Sequence, residues 1–234
     1  MRAGRVIDLY RYPVKSMGGE RLNEVLISEH GIPGDRSFAF MLEDEKYLTV
    51  QKMPHLLTYQ SQLSSIPGNV IISKDGTEYE WEDPVLFEQI STQSGRILKQ
   101  VSFNTEKERG AYWEDHALIV TRSSLKKFSE MCGLEILDLR RFRPTIVLDL
   151  DDDVPFEEEQ WIGKELSIGE ARFKVNQGCE RCFYITVDPE DPSKINPSIL
   201  KTLVRERNTI FGVYASVVKT GSIKEGSEVI VHND

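Results

Sequence analysis

Histidine and cysteine are scarce in this chain, at four and three residues of 234. His30, His55, His116 and His232 form no spaced pair, and Cys132 stands alone. A structural zinc site, which needs four ligands, therefore has no ligand set in the sequence. Three cysteines without a framework spacing fit a reducing compartment. No apolar run approaches the roughly 18 residues of a membrane span, and Met1 to Ile7 carry no apolar signal segment. The expectation is a cytoplasmic protein without a membrane partner. Excess positive charge is missing too: the net charge is −9, which argues against a nucleic-acid partner. There is no phosphate loop of the Walker or dinucleotide type, no ferredoxin-like cysteine cluster and no internal repeat. With 39% hydrophobic and 29% charged residues, the chain suits a globular core in one large domain or two small ones.

The cysteines that are present are well placed. Cys179 and Cys182 lie in Asn176-Gln177-Gly178-Cys179-Glu180-Arg181-Cys182. The run Ala171 to Val175 before them and the run Phe183 to Val187 after them are both of β type, which predicts a connection between two strands. Arg181 beside Cys182 favours the thiolate, the nucleophilic and metal-binding form. A thioredoxin-like pair opens a helix, whereas a strand-like run follows here. Two readings stay open: a loop thiolate that holds something soft or electrophilic, or two half-buried thiols acting as small hydrophobes.

Short strands are expected at 4–12, 22–27, 37–42, 47–50, 58–63, 69–73 and 78–81, with a hairpin turn at Lys74-Asp75-Gly76-Thr77. The polar stretch 82–114 reads as a connection. A strand at 117–121 precedes a helix over 125–132, capped by Ser123 or Ser124 and stopped by Gly133. Further strands are expected at 144–148, 210–218 and 228–231, a helix over 197–207, and a glycine-rich turn at 219–226. The acidic run from Asp149 to Glu159 reads as a solvated loop, because it lacks the glycine and final glutamate of a calcium loop. The fold class is mostly β with a few helices, and short strands at such spacing suit a barrel or a sandwich. Within it, Arg140, Arg141 and Arg143 concentrate positive charge in an acidic chain. They suit either a bound anion or a solvated basic edge.

Five ordered segments resemble one family. They are Tyr12-Pro13-Val14-Lys15-Ser16-Met17, Gly34-Asp35-Arg36, Arg141 to Val147, Cys179-Glu180-Arg181-Cys182 with Thr186-Val187-Asp188-Pro189, and Ile210 to Tyr214. Together they resemble MOSC-domain proteins with an associated N-terminal β-barrel domain, a group that includes amidoxime-reducing components and the C-terminal part of molybdenum-cofactor sulfurase. The resemblance implies an N-terminal β-barrel domain at 1–90 and a MOSC domain at 91–234. It also implies a molybdenum-molybdopterin cofactor with Cys182 as the metal ligand and Cys179 as its neighbour. Lys15, Ser16, Arg36 and Arg143 would contact the cofactor's anionic groups, arginine by its bidentate fork. Asp115, His116, Thr121, Ser124, Arg181 and Asn208 are further implied contacts, and Asp188 an implied proton acceptor or pterin-orienting group. Read alone, Arg36 and Arg143 would sooner be paired with a carboxylate inside the fold. The family pattern is broken at Glu190-Asp191-Pro192-Ser193, where Thr-Gly is common, so the loop after Asp188 is expected to differ.

Two functions follow from the resemblance. One is reduction of a small N-hydroxylated substrate, with electrons from a separate donor protein because the chain has no electron-transfer motif of its own. The other is carriage of sulfur or of the cofactor on Cys182. Pyridoxal phosphate enters only as an association of the family, through a desulfurase domain that this sequence does not show.

Overall fold

The first ten-residue strand, β1 (Arg2–Arg11), fully buries Val6 and Leu9, an odd spacing that the register shift between Val6 and Asp8 brings to one face. Pro13 follows the strand, and the chain leaves the sheet there. In this computed structural model every residue is described except Pro67, Glu106, Trp113, Asn233 and Asp234. The chain continues through β2 (Glu20–Leu22), β3 (Glu24–Ile27), β4 (Phe38–Leu42), β5 (Gln60–Leu63), β6 (Val70–Lys74) and β7 (Thr77–Glu80). The β6–β7 hairpin turns on Asp75 and Gly76, with φ of 51° and 78°, the left-handed pair a two-residue turn demands. Residues 47–50 form no strand beyond a single bridge from Tyr47 to Met41.

The stretch expected to be a connection holds a helix and a strand. Helix α1 (Pro84–Ser94) is capped by Asp83, which accepts from Val85 N at 2.8 Å, and ends on Gly95 at φ 62°. Strand β8 (Leu98–Ser102) pairs with β4, from Phe38 opposite Ser102 to Leu42 opposite Leu98. Glu106 and Trp113 of that stretch lie outside the described residues. These elements enclose one core, in which Phe38 and Phe40 pack on Trp81 above Leu86 and Ile90 of α1.

The rest of the chain is β9 (Ala117–Thr121), α2 (Arg122–Met131), β10 (Ile146–Leu150), β11 (Glu165–Ile168), β12 (Ala171–Glu180), α3 (Pro197–Arg207), β13 (Ile210–Lys219), β14 (Gly221–Lys224) and β15 (Glu228–His232). Seven strands close a barrel in the order β10-β9-β13-β12-β11-β15-β1, β1 pairing back onto β10. The first strand of the chain thus belongs to the second sheet system, and β2 hangs from it. Strand β14 pairs with β3, so the expected 219–226 turn is partly a strand. Closure removes sheet edges, and Val6, Ile119, Phe173 and Val213 fill the interior. A third core lies outside the barrel, where α2 and α3 cover Phe142 and Phe211, whose rings are 4.2 Å apart.

Three expectations near the site need correction. Phe183–Thr186 is a 3-10 turn, not a strand. The partner of β12 is β13, and Ile185 and Val187 instead anchor the turn in two apolar clusters. Helix α2 begins at Arg122, with Thr121 as its cap, accepting from Ser124 N at 3.2 Å. The acidic run is not all solvated. Glu158 is fully buried, and Glu159 is paired with Arg207 at 2.5 Å.

Candidate functional site

Cys182 ends the extended stretch that follows β12, at φ −124° and ψ −168°, and caps the 3-10 turn. Arg181 N donates to Thr209 O at 2.9 Å, which keeps the chain extended past Cys179. Cys179 is buried, while Cys182 is exposed; its carbonyl accepts from Ile185 N at 3.3 Å, and its thiol makes no hydrogen bond among the described residues. Burial pushes the Cys179 thiol up, with Arg181 opposing that shift. Both cysteines line one cavity of about 360 Å³. That volume lies in the range of small-molecule sites.

The walls of the cavity are cationic. Lys15, Arg36, Arg141, Arg143 and Arg181 all line it. Lys15 Nζ donates to Ala111 O at 2.6 Å and sits 4.8 Å from the Tyr47 ring, with no carboxylate partner among the described residues. Burial, then Arg36, Arg143 and Arg109, pull its ammonium down to about 7. Arg36 is paired with the buried Asp35, whose other oxygen accepts from Tyr12 N at 2.7 Å. Its guanidinium lies 4.8 Å from the Tyr12 ring, and that of Arg143 lies 4.1 Å from the same ring. Arg143 donates to Met17 O and, at 3.2 Å, to Tyr184 Oη. Ser16, Arg36 and Arg143 hold φ of 72°, 50° and 51°. Such left-handed backbone costs a non-glycine residue about 1–2 kcal/mol each, and it clusters where a site demands an exact placement.

The remaining expected residues divide. Asp115 and His116 line the cavity. Asp115 accepts from Asn176 Nδ2 at 2.6 Å, and His116 Nδ1 accepts from Val217 N at 3.4 Å. Burial holds His116 below the usual imidazole range. Arg181 borders the cavity, yet its guanidinium is spent on carbonyls, with Nη1 to Phe142 O at 2.8 Å and Nε to Phe211 O at 2.9 Å. It locks the β12 end to the third core instead of reaching toward Cys182.

Four other expected contacts are not among the lining residues. Asp188 accepts from Arg141 Nη2 at 2.7 Å and from the backbone of Glu190 and Asp191, so it braces the turn behind Cys182. Thr121 and Ser124 hold Glu158 Oε2 at 3.0 and 2.8 Å. Asn208 is the left-handed cap of α3 at φ 49°. Tyr112, Tyr184 and Tyr214 border the cavity and were not expected there. Tyr214, which ends the Ile210 to Tyr214 segment, and Tyr184, two residues past Cys182, had a signal in the sequence.

Among the described residues no group of three His, Cys, Asp or Glu side chains could hold a metal ion. A metal here would take one protein sulfur and depend on a cofactor for its other ligands. The wall suits such a group: among the described residues Lys15 has no counterion and Arg141 Nε is buried without a partner, and the exposed Cys182 lines the cavity.

Comparison with known proteins identifies the family and the fold. Residues 3–115 match the MOSC N-terminal beta barrel domain and residues 98–230 match the MOSC domain. The chain is 26% identical to mitochondrial amidoxime reducing component 2 of Macaca fascicularis, over 97% of this chain and 83% of that protein. It is 24% identical to molybdenum cofactor sulfurase of Caenorhabditis elegans, over 89% of this chain but only 33% of that longer protein. The crystal structure of the YUAD protein from Bacillus subtilis shares the fold, with a TM-score of 0.56 at 15% identity, covering 100% of this chain and 97% of that one. With its barrel, its N-terminal unit and the match over 98–230, the chain belongs to the MOSC domain family.

Proposed function

We propose that the cavity binds a molybdenum-molybdopterin cofactor with Cys182 as the protein's metal ligand, and that the protein reduces small N-hydroxylated compounds with electrons from a separate donor protein. The observation that carries this reading is the exposed Cys182 thiol on the same cavity as Lys15, Arg36 and Arg143. Thiolate is a soft donor suited to such a metal, and the cations suit phosphate and dithiolene charge. When bound, the molybdenum centre supplies the two-electron oxygen-removing chemistry. The chain's own residues do the rest: Lys15, Arg36 and Arg143 hold anionic groups, Tyr184 fixes Arg143, and Asp188 through Arg141 fixes the turn that carries Cys182.

The relative named as amidoxime reducing component 2 of Macaca fascicularis supports a reductase, since it aligns over most of both chains. Relatives named as molybdenum cofactor sulfurases support a second reading, a carrier of sulfur or cofactor on Cys182. A reducing compartment such as the cytoplasm suits three unpaired cysteines. Among the described residues no helix is long and apolar enough to cross a membrane.

The test is metal and pterin content of protein made in a host that synthesises the cofactor. Near one metal per chain is expected in the native protein, almost none in Cys182→Ser, and most of it in Cys179→Ser. Equal loss in both variants would sink the single-ligand assignment. Reduction of an N-hydroxylated substrate by loaded protein with dithionite-reduced viologen, and not with NADH or NADPH alone, supports the reductase with a separate donor. Full loading without turnover moves the assignment to the carrier.

A further inference from the structure

A second polar cavity, of about 340 Å³, opens elsewhere on the molecule and shares no lining residue with the first. It lies on the outer face of the barrel, where the β11–β12 hairpin at Gly169 and Glu170 meets the β13–β14 corner at Thr220 and Gly221. Ser167, Arg172 and Lys219 stand in line across three strands. Ser167 is directly opposite Arg172, and Arg172 is directly opposite Lys219. The neighbours Ile168, Ala171 and Phe173 point into the barrel core, so alternation turns this row outward.

Two cations directly opposite each other across a ladder repel, and the local carboxylates neutralise them only in part. Glu165 Oε2 is 3.4 Å from Arg172 Nη1, at the long end of a hydrogen bond. Glu170 Oε2 accepts from Ser222 N at 3.2 Å. Among the described residues Lys219 has no ion-pair partner, and Arg172 Nε is buried with no hydrogen bond at all. Ser167 adds a hydroxyl on the same row, 2.7 Å from His232 Nε2. When the imidazole donates in that bond, the serine proton is free to turn toward the cavity.

We propose that this cavity is a second anion site, taking a phosphoryl group, free or as a small phosphate monoester, between Arg172, Lys219 and the Ser167 hydroxyl. The row of donors is preformed on paired strands, and the Arg172 guanidinium, held by Glu165 only at 3.4 Å, has fork positions to spare for a phosphate oxygen. Site and ligand are separate from the cofactor reading and survive its failure.

The experiment is an amide NMR titration of the full chain with inorganic phosphate, against sodium chloride matched in ionic strength. A second arm uses glycerol phosphate. Saturable shifts are expected at Gly169, Thr220 and Gly221. Arg172→Gln and Lys219→Gln should each weaken binding there roughly tenfold, by loss of a charge-assisted contact. Arg143→Gln, on the other cavity, should leave these peaks' titration unchanged. Saturation with phosphate alone assigns the free ion, and tighter saturation with glycerol phosphate assigns the ester. Shifts that chloride reproduces, shifts that persist in both single variants, or no shift with either ligand overturn the site. The unperturbed peaks of each variant report that it is folded.

Discussion

Lys15 sits in an environment that its charged side chain disfavours. Its ammonium is half-buried beside Arg36 and Arg143, with a single carbonyl for a partner. In the folded protein its proton leaves near pH 7, against 10.5 for the free side chain. The depressed value means that the unfolded chain binds more protons between those limits, so stability rises with pH across that window. The destabilisation is complete below about 7 and relieved toward 10.5. An anion in the cavity has the opposite preference and binds best when Lys15 is charged. Ligand-free protein is therefore expected to gain melting temperature from pH 7 to 9.5 relative to Lys15→Met, while the native protein's phosphate affinity at this cavity falls over the same range. Parallel pH profiles for the native protein and Lys15→Met would show that Lys15 is already neutralised by something other than the ligand.

At the scale of elements, a cap and a turn decide which residues reach the cavity. Asn208 sits at φ 49° at the end of α3, a conformation that asparagine and glycine tolerate and alanine does not. Asn208→Ala should cost about 1 kcal/mol in chemical denaturation, Asn208→Gly should stay near the native value, and both should keep full cofactor content. Cofactor loss in Asn208→Ala at native stability would return this residue to the site. Helix α3 and strand β9 were legible because a proline start, a basic end and a continuous β-branched run are local signals. Helix α1 was not, although Asp83, Pro84 and Gly95 mark both its ends. Only Leu86 and Ile90 of it are buried, too few to raise a period. The turn at Phe183–Thr186 misled for the opposite reason: its residues have strand propensity, but β13 had already taken the edge of β12. Cys182, Lys15, Arg36 and Arg143 were legible through motif order. The diversion of Arg181 to carbonyls and of Thr121 and Ser124 to Glu158 depends on tertiary contacts that no local pattern encodes.

For the molecule as a whole, the cavity is where its two parts meet. Lys15, Ser16 and Arg36 come from the segments between β1 and β4, and Arg143 comes from the approach to β10 in the barrel. Arg143 joins them directly, by its bonds to Met17 O and Tyr184 Oη and its place over Tyr12. It also stands close to a like charge. With the two guanidinium centres 4.8 and 4.1 Å from one ring centroid, they are no more than about 9 Å apart, a repulsion of at least roughly 2 kcal/mol at an effective dielectric near 20. Two charge-assisted bonds contribute about 1.5–3 kcal/mol each and, with Asp35 offsetting part of the repulsion, give Arg143 a role in the fold even without a ligand. Arg143→Ala should therefore lower the melting temperature of the ligand-free protein, equivalent to about 1–3 kcal/mol. A bound anion removes the repulsion and adds its own stabilisation by mass action, so the gap between native and variant should widen in cofactor-loaded protein. Arg143→Lys, which keeps the charge and loses the fork, should fall between them in both states. The check is a pair of melting curves, loaded and ligand-free, for each of the three proteins. Equal gaps in the two states would assign Arg143 to the fold alone, and no gap without ligand would assign it to the ligand alone.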